Sequence, residues 1–196
     1  MKEGCVIWLT GLPGSGKTTC GVELKKQLEE HNYEVELLDG NEDRELISSE
    51  LGCSKEHREL HNKRVIHIAK LLSRHGVYVI VCLISPYKWI REYARKELPN
   101  FIEIYVKCPV EVCAARDKKG LYERAYRGEI KDLTGVQAPY EEPESPDVVI
   151  DTEHDPPDIC AQKILAKLQE RGLFTPFTQN EEETIKKRLE DLGYLG

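Results

Sequence analysis

The chain has 196 residues, of which 28 are basic and 35 acidic, so its formal net charge is −7. That length predicts one domain with a short appendage, and the apolar content of 40% is ordinary for a globular protein. The acidic balance argues against general binding to nucleic acids or to anionic membranes. The longest apolar run, residues 77–84, is far shorter than the ~20 residues that a membrane-spanning helix needs.

The seven cysteines are scattered along the chain, include no CxxC pair, and several of them lie inside apolar runs. Cysteine in such a setting behaves as a small buried hydrophobe, so the pattern argues against a secreted disulfide scaffold and a classical zinc finger. The first residues pass directly into a strand-like segment without the pattern of a signal peptide. We therefore expect a cytoplasmic protein.

Short β-branched runs alternate with longer stretches of helical periodicity, which predicts an α/β fold with a mainly parallel sheet. We expect strands at residues 5–9, 33–38, 77–84, 101–106 and 147–150. We expect helices at residues 17–31, 54–74, 87–97, 110–116, 121–127 and 157–171. The third strand is almost wholly apolar, which is typical of a central strand covered on both faces.

Residues 116–146 are rich in charged residues, glycine and proline and show little apolar periodicity. Such a long irregular segment is uncommon unless it serves as a lid or a binding loop. We therefore predict a domain over residues 1–172 that contains this lid, followed by a linker and a charged helix over residues 173–196. The apolar side of that helix is thin, which predicts that it packs on the domain or on a neighbouring subunit.

Residues 11–18 read GLPGSGKT and match the phosphate-binding pattern GxxxxGK[ST] at every position, between an expected strand and an expected helix. Glycines let backbone N–H groups curl around phosphate oxygens, at the positive end of the following helix. Lys17 is expected to reach the β- and γ-phosphates of ATP, and Thr18 to ligate Mg²⁺. The predicted ATP-binding residues of this loop are Gly11, Gly14, Ser15, Gly16, Lys17, Thr18 and Thr19.

Other classes of nucleotide-binding protein fit this sequence less well. Residues 62–65 match only half of the guanine-binding pattern NKxD and fall inside an expected helix, and the DxxG match at 132–135 comes too late for a switch. The third strand ends in LISP, without the carboxylate of a motor ATPase. A small kinase is therefore favoured.

Basic residues follow the carboxyl ends of several expected strands, where open α/β sheets bind their ligands. They include Arg44, Arg58, Arg64 and Arg116, together with the lysines of the predicted lid. Any one of these cations alone is also compatible with solvated surface charge, although a binding role is favoured. Their convergence on an acidic domain predicts a pocket for an anionic substrate.

The chain resembles the adenylylsulfate kinases, also called APS kinases. The matching segments are WLTGLPGSGKTT (8–19), LLDG with Arg44 (37–44), ISPY (84–87), RDKKGLY (116–122), GEIK (128–131), PYEEPESP (139–146) and VVIDT (148–152), in order over about residues 4–171. The resemblance implies a P-loop kinase with a five-stranded parallel sheet. It implies transfer of phosphate from MgATP to the ribose 3′-hydroxyl of adenosine 5′-phosphosulfate. It also implies a homodimer, and an association with ATP sulfurylase is an alternative role for the C-terminal helix.

The resemblance also implies roles for individual residues. Lys131 and the lid would close over both substrates, and Arg116 would lie against the ATP adenine. Asp39 is the candidate base or metal partner. A phosphorylated serine has been described in this family at the position of Ser85, but direct in-line transfer is favoured because the P-loop and Mg²⁺ already supply positioning and charge stabilisation. The implied acceptor-binding residues are Arg44, Cys53, Arg58, His61, Ile84, Ser85, Lys131 and Leu133.

Four positions in the expected acceptor pocket depart from the family pattern. Asn41 replaces an aspartate, and its amide can orient a hydroxyl but cannot take its proton. Cys53 and Leu133 replace phenylalanines that stack on the acceptor base, a contact worth about 1–3 kcal/mol per base, and His61 replaces an asparagine. The acceptor is therefore predicted to be adenylyl sulfate, with another nucleotide anhydride, such as cytidine diphosphoramidate, as the alternative.

Two further alternatives stay open at this point. Cys53, His57 and His61 recur at four-residue spacing, which suits a zinc site, although no fourth ligand is evident. The C-terminal helix is also compatible with a non-catalytic subunit that binds a partner. An intact Lys17–Thr18 pair and a lid favour catalysis over that role.

Overall fold

Five parallel strands form one sheet in the computed structural model, which describes residues 3–40, 43–52 and 54–177. The strands are β1 (Val6–Thr10), β2 (Val35–Asp39), β3 (Tyr78–Cys82), β4 (Phe101–Lys107) and β5 (Val148–Asp151). They lie in the order β2–β3–β1–β4–β5. The predicted five-stranded parallel α/β fold is confirmed, and every predicted strand overlaps an observed one.

Helices connect the strands and cover both faces of the sheet. In the described residues they are α1 (Lys17–Glu30), α2 (Asp43–Ser48), α3 (Lys55–Arg74), α4 (Lys88–Glu97), α5 (Val110–Ala115), α6 (Leu121–Tyr126) and α7 (Pro157–Glu170). All the predicted helices up to residue 171 are present. Sequence analysis missed α2, because one and a half turns are too short to show helical periodicity.

The sheet buries both of its faces, as the apolar third strand predicts. Ile7 and Leu9 of β1 lie in the apolar cluster under α1 and α7, whereas Val6 and Trp8 lie in the cluster under α3 and α4. Alternate side chains of a strand point to opposite faces, so a strand covered on both faces is mainly apolar along its length. Because all the strand pairs are parallel, the five carboxyl ends lie at the same edge of the sheet.

A buried ion pair fastens the loop after β3 to strand β4. Arg91 on α4 is 2% exposed, and its Nε donates to Glu103 Oε1 at 2.9 Å. Its two terminal nitrogens donate to the carbonyl oxygens of Ser85, at 2.7 Å, and Glu141, at 2.6 Å. Glu103 also accepts a hydrogen bond from Arg95 at 3.0 Å. A buried charge is tolerated only while its partners remain in place.

We expect Glu103→Gln to lower the free energy of unfolding by about 3 kcal/mol, because the change leaves the buried guanidinium of Arg91 without its carboxylate. Urea unfolding followed by circular dichroism measures the difference. The matched control is Glu92→Gln on the exposed side of α4, which we expect to change the same quantity by less than about 0.5 kcal/mol. An equal loss in the two variants would contradict the assignment.

Residues 116–146 are more ordered than their composition suggests. They contain α6, and Tyr122, Ala125 and Leu133 are buried in a third apolar cluster with Cys113. Beyond this cluster, the amide of Glu141 donates to the carbonyl of Pro86 at 2.8 Å. The role of the segment as a lid stays a prediction.

Residues 173–177 pack on the domain. Phe174 is buried, the Tyr78 hydroxyl donates to the carbonyl of Leu173, and the ring of Phe177 stacks on His31 with centroids 4.9 Å apart. The predicted helix within 178–196 lies outside the described residues. Among the helices that are described, none has the length and apolar character needed to cross a membrane.

Candidate active site

A cavity of about 1170 Å³ lies at the carboxyl edge of the sheet. Its walls come from the P-loop, the loops after β2 and β3, the first turns of α3, parts of the segment 116–134 and the turn after β5. The predicted site residues that line it are Gly14, Gly16, Lys17, Thr18, Thr19, Arg44, Arg58, His61, Ile84, Ser85, Arg116 and Leu133. The structure thus brings the predicted ATP side and the predicted acceptor side together in one cavity.

Some predicted site residues lie elsewhere. Gly11, Ser15 and Asp39 are not among the residues that line the cavity, although Ser15 and Asp39 touch residues that do. Lys131 is exposed and does not line the cavity. The predictions for Asn41 and Cys53 fall on positions outside the described residues.

The phosphate-binding loop spans the short distance from the end of β1 to the start of α1. Gly14 and Gly16 have φ angles of 75° and 92°, in the left-handed region that favours glycine. A Cβ at Gly14 would lie 2.8 Å from the carbonyl oxygen of Cys113. Only glycine therefore allows this turn, which leaves the unpaired N–H groups at the start of α1 facing the cavity.

Lys17 is held at the mouth of this loop. Its Nζ donates to the carbonyl oxygens of Gly11, at 3.0 Å, and Leu12, at 2.7 Å, and to Ser15 Oγ at 3.4 Å. Burial lowers the pKa of Lys17 to about 8, against the opposing effects of nearby thiols and the Asp39 carboxylate. The ammonium group is thus poised to exchange these neutral acceptors for phosphate oxygens.

The Thr18 hydroxyl donates to Asp39 Oδ2. Asp39 is the last residue of β2 and is 4% exposed. A hydroxyl and a carboxylate oxygen side by side are the hard oxygen ligands that Mg²⁺ prefers. These two residues therefore fit the metal that a P-loop kinase implies.

Two arginines line the opposite side of the cavity. Arg58 on α3 donates from Nη1 to Thr134 Oγ1 at 2.6 Å and from Nη2 to the carbonyl of Asp132. Arg44 on α2 donates to the carbonyl oxygen of Gly52. Both guanidinium groups place positive charge in the cavity wall, where a guanidinium can bind an anion through charged hydrogen bonds.

Ser85 adopts a conformation that its neighbours enforce. Its φ angle is 42°, which is uncommon for a residue with a side chain. Its Oγ accepts a hydrogen bond from Trp8 Nε1 at 3.0 Å and donates one to Asn62 Oδ1 at 2.7 Å. Arg91 holds its carbonyl. The hydroxyl hydrogen of Ser85 is therefore already engaged, and the side chain is buried.

Next to the P-loop, the cavity is lined by a residue that the sequence did not single out. Thr152 lines the cavity, donates from Oγ1 to the carbonyl of Ser15 at 2.7 Å, and accepts from Arg116 Nη2 at 2.9 Å through its own carbonyl. It follows β5 directly, so the strand-end rule applied to β2 and β3 also points to this position. Asn62 also lines the cavity, and the sequence pointed to it only as the neighbour of His61, the position at which the family has an asparagine.

The predicted zinc alternative gains no support from the part of the chain that the structure describes. His57 Nδ1 accepts from the amide of Gly52 at 2.9 Å, and His61 Nδ1 lies 3.0 Å from Ser48 Oγ. The cluster of metal-ligating side chains found there is a different and largely exposed one, made of Asp151, Glu153 and His154.

Comparison with known proteins places this arrangement in one family. The family model for adenylylsulphate kinase matches residues 3–151. The probable adenylyl-sulfate kinase of Pyrococcus abyssi (strain GE5 / Orsay) is 55% identical over 170 residues, which is 87% of this chain and 98% of that relative.

Solved structures agree with this result. The Mycobacterium tuberculosis APS kinase CysC in complex with AMPPNP and APS superposes with a TM-score of 0.83 at 34% identity, over 86% of this chain and 99% of that chain. A hexameric APS kinase from Thiobacillus denitrificans has a TM-score of 0.68 at 30% identity, over 89% of this chain and 30% of that chain. The predicted resemblance is confirmed, and the chain belongs to the adenylylsulphate kinase family.

Proposed function

We propose that this protein is an ATP-dependent adenylyl-sulfate kinase that phosphorylates the ribose 3′-hydroxyl of adenosine 5′-phosphosulfate. The observation that carries the proposal is the lining of a single cavity by a P-loop on one side and by Arg44 and Arg58 on the other. Membership of the family supports it, as does the similarity to an APS kinase whose structure contains AMPPNP and APS. The product is 3′-phosphoadenosine 5′-phosphosulfate.

In this proposal the P-loop and Lys17 bind the β- and γ-phosphates of ATP. The loop N–H groups and the ammonium stabilise the negative charge that moves toward the leaving oxygen as the bond to the γ-phosphorus breaks. Thr18 and Asp39 would hold Mg²⁺, which would neutralise part of the triphosphate charge. The arginines hold the acceptor's anionic tail, which aligns its 3′-hydroxyl for in-line attack.

Asp39 fits a role as metal partner better than a role as general base. Its Oδ2 already accepts the Thr18 hydroxyl, and the side chain is buried and is not among the residues that line the cavity. The transition state of phosphoryl transfer is loose, so little base catalysis is needed. Positioning of the two substrates and stabilisation of charge therefore supply most of the rate enhancement.

Ser85 is expected to position the acceptor through its main chain and not to carry phosphate. We expect Ser85→Ala to retain turnover within roughly 10-fold of the unmodified enzyme, because the change removes hydrogen bonds to Trp8 and Asn62 but no step of a direct transfer. Steady-state kinetics measures this, with phosphoserine detection by mass spectrometry in parallel. A loss of roughly 10³-fold, or a phosphorylated Ser85 formed at the rate of turnover, would establish a covalent route instead.

An ADP-release assay with MgATP tests the proposed acceptor. Adenylyl sulfate, cytidine diphosphoramidate and AMP are compared at equal concentration, with Lys17→Ala as the inactive control. We expect rapid turnover with adenylyl sulfate. Turnover confined to cytidine diphosphoramidate would favour the second candidate acceptor, which the aliphatic Leu133 in the cavity wall makes reasonable.

The proposal includes a homodimer in the cytoplasm, with an association with ATP sulfurylase as the alternative role of the C-terminal residues. Light scattering on the purified protein measures the oligomeric state. If the chain is instead a partner-binding subunit without catalysis, Lys17→Ala will leave partner binding unchanged and there will be no turnover to lose.

A further inference from the structure

One buried nitrogen in the acceptor side of the cavity has no partner. His61 lies on α3, is 2% exposed and lines the cavity. Its Nδ1 lies 3.0 Å from Ser48 Oγ, whereas its Nε2 is buried and makes no hydrogen bond to any described residue. Buried polar atoms of folded proteins are almost always hydrogen-bonded, so an unpaired one in a cavity wall points to a ligand.

The partners of Ser48 indicate the direction of its hydrogen bond to His61. Arg64 pairs with Glu50, at 2.6 Å between Nη2 and Oε1, and its Nη1 donates to the carbonyl of Ile47 at 2.8 Å and to Ser48 Oγ at 3.4 Å. A guanidinium can only donate, so Ser48 accepts from Arg64 and keeps its own hydrogen for another acceptor. Within the described residues, the acceptor that Ser48 Oγ reaches is His61 Nδ1.

The ring of His61 is therefore expected to be neutral and to carry its hydrogen on Nε2. Burial, assisted by the positive charges of Arg44 on α2 and Arg64 on α3, lowers the pKa of His61 to about 4. Nδ1 acts as the acceptor for Ser48, which leaves the hydrogen on the other nitrogen.

We propose that Arg64 and Ser48 are positioning residues that hold His61 as the Nε2–H tautomer, so that it presents a neutral hydrogen-bond donor to the acceptor nucleotide. The identity of that nucleotide rests on the proposed function, but the tautomer does not. The atom that pairs with this donor is an oxygen or an unprotonated ring nitrogen of the nucleotide. An acceptor without such an atom leaves the N–H buried and unpaired, which makes His61 a determinant of specificity.

The tautomer is measurable without any substrate. Long-range ¹H–¹⁵N correlation spectra of the full chain near neutral pH distinguish a protonated from an unprotonated ring nitrogen, and the signal lost in His61→Gln identifies His61. We expect a protonated Nε2 in the unmodified protein and a shift toward protonated Nδ1 in Ser48→Ala. The control is Ser49→Ala, the same change at the exposed neighbour, which leaves the signal in place. A protonated Nδ1 in the unmodified protein would overturn the proposal.

Kinetics with adenylyl sulfate tests the donor itself. We expect His61→Leu to raise the KM for the acceptor roughly 3- to 10-fold, as the loss of a neutral hydrogen bond does, with the KM for MgATP unchanged. His61→Gln, which keeps an N–H at the end of its side chain, should restore most of the affinity. Equal acceptor KM values in all three proteins would overturn the proposal. An enzyme that is inactive with adenylyl sulfate but has a protonated Nε2 would refute the proposed function. The proposed control of the His61 tautomer by Ser48 and Arg64 would still stand.

Discussion

Replacing Lys17 by alanine is expected to reduce kcat by roughly 10³-fold, because the change removes a charged donor to the phosphates in the transition state. Lys17 is the cation held within the P-loop, where its Nζ donates to Gly11, Leu12 and Ser15. The other lysines that line the cavity among the described residues, Lys118 and Lys119, belong to the segment 116–146 and not to the P-loop. The ADP-release assay with saturating MgATP and adenylyl sulfate measures the loss.

Lys26→Ala is the matched control, because Lys26 lies on the same helix with an exposed side chain. It is expected to leave kcat unchanged. Circular dichroism of Lys17→Ala should show an intact fold, since the P-loop turn is set by its glycines. Residual activity above about a tenth of the unmodified enzyme would show that the P-loop lysine does not stabilise the transition state.

The pH dependence of the same group provides an independent check on its role. Because burial lowers the pKa of Lys17 to about 8, the empty enzyme loses this positive charge as the pH rises through that value. The kcat/KM for MgATP reports the free enzyme and is expected to fall above about pH 8. Bound phosphate favours the charged amine, so kcat should fall only at a higher pH.

Arg58→Ala is expected to raise the KM for adenylyl sulfate roughly 10- to 100-fold, as the loss of a charged hydrogen bond does, and to change the KM for MgATP much less. Arg58 lines the acceptor side of the cavity and also bonds to Thr134 and to the carbonyl of Asp132. Its loss therefore removes an anion-binding group and a link between α3 and the segment 116–146. Steady-state kinetics with each substrate varied in turn separates the two constants.

Arg58→Lys retains the charge but not the forked geometry, so it should fall between the alanine variant and the unmodified enzyme. Arg74→Ala, at the exposed far end of α3, is the control for general effects on the helix. If Arg58→Ala raises both KM values equally, the residue stabilises the cavity as a whole and does not recognise the acceptor.

The sequence was sufficient to predict the order of the strands and the longer helices along the chain, because β1 and β3 are almost wholly apolar and α3 is amphipathic. The P-loop was equally clear, since its glycines and Lys17 occur at fixed spacing. The contacts that hold Ser85 were not predictable. Trp8 and Asn62 reach it from β1 and α3, and side chains so distant in the chain carry no local pattern that reveals the pairing.

Residue His61 illustrates the same limit on the acceptor side. The resemblance identifies its position, but the direction of its hydrogen bond depends on Ser48 and Arg64, which only the packing of α2 on α3 brings together. Helix α2 is too short to have been predicted from periodicity. The direction of the hydrogen bond between Ser48 and His61 therefore follows from the three-dimensional structure and not from the sequence.

The bonds around Glu141 limit how the segment 116–146 can move. Its amide and carbonyl are tied to Pro86 and Arg91, and its carboxylate accepts from the amide of Lys88 at 2.6 Å. At the other end, Arg116 is tied to Thr152. If the segment is the lid that the sequence predicts, opening between these two ends would also have to break the hydrogen bonds from Arg58 to Thr134 and to the carbonyl of Asp132.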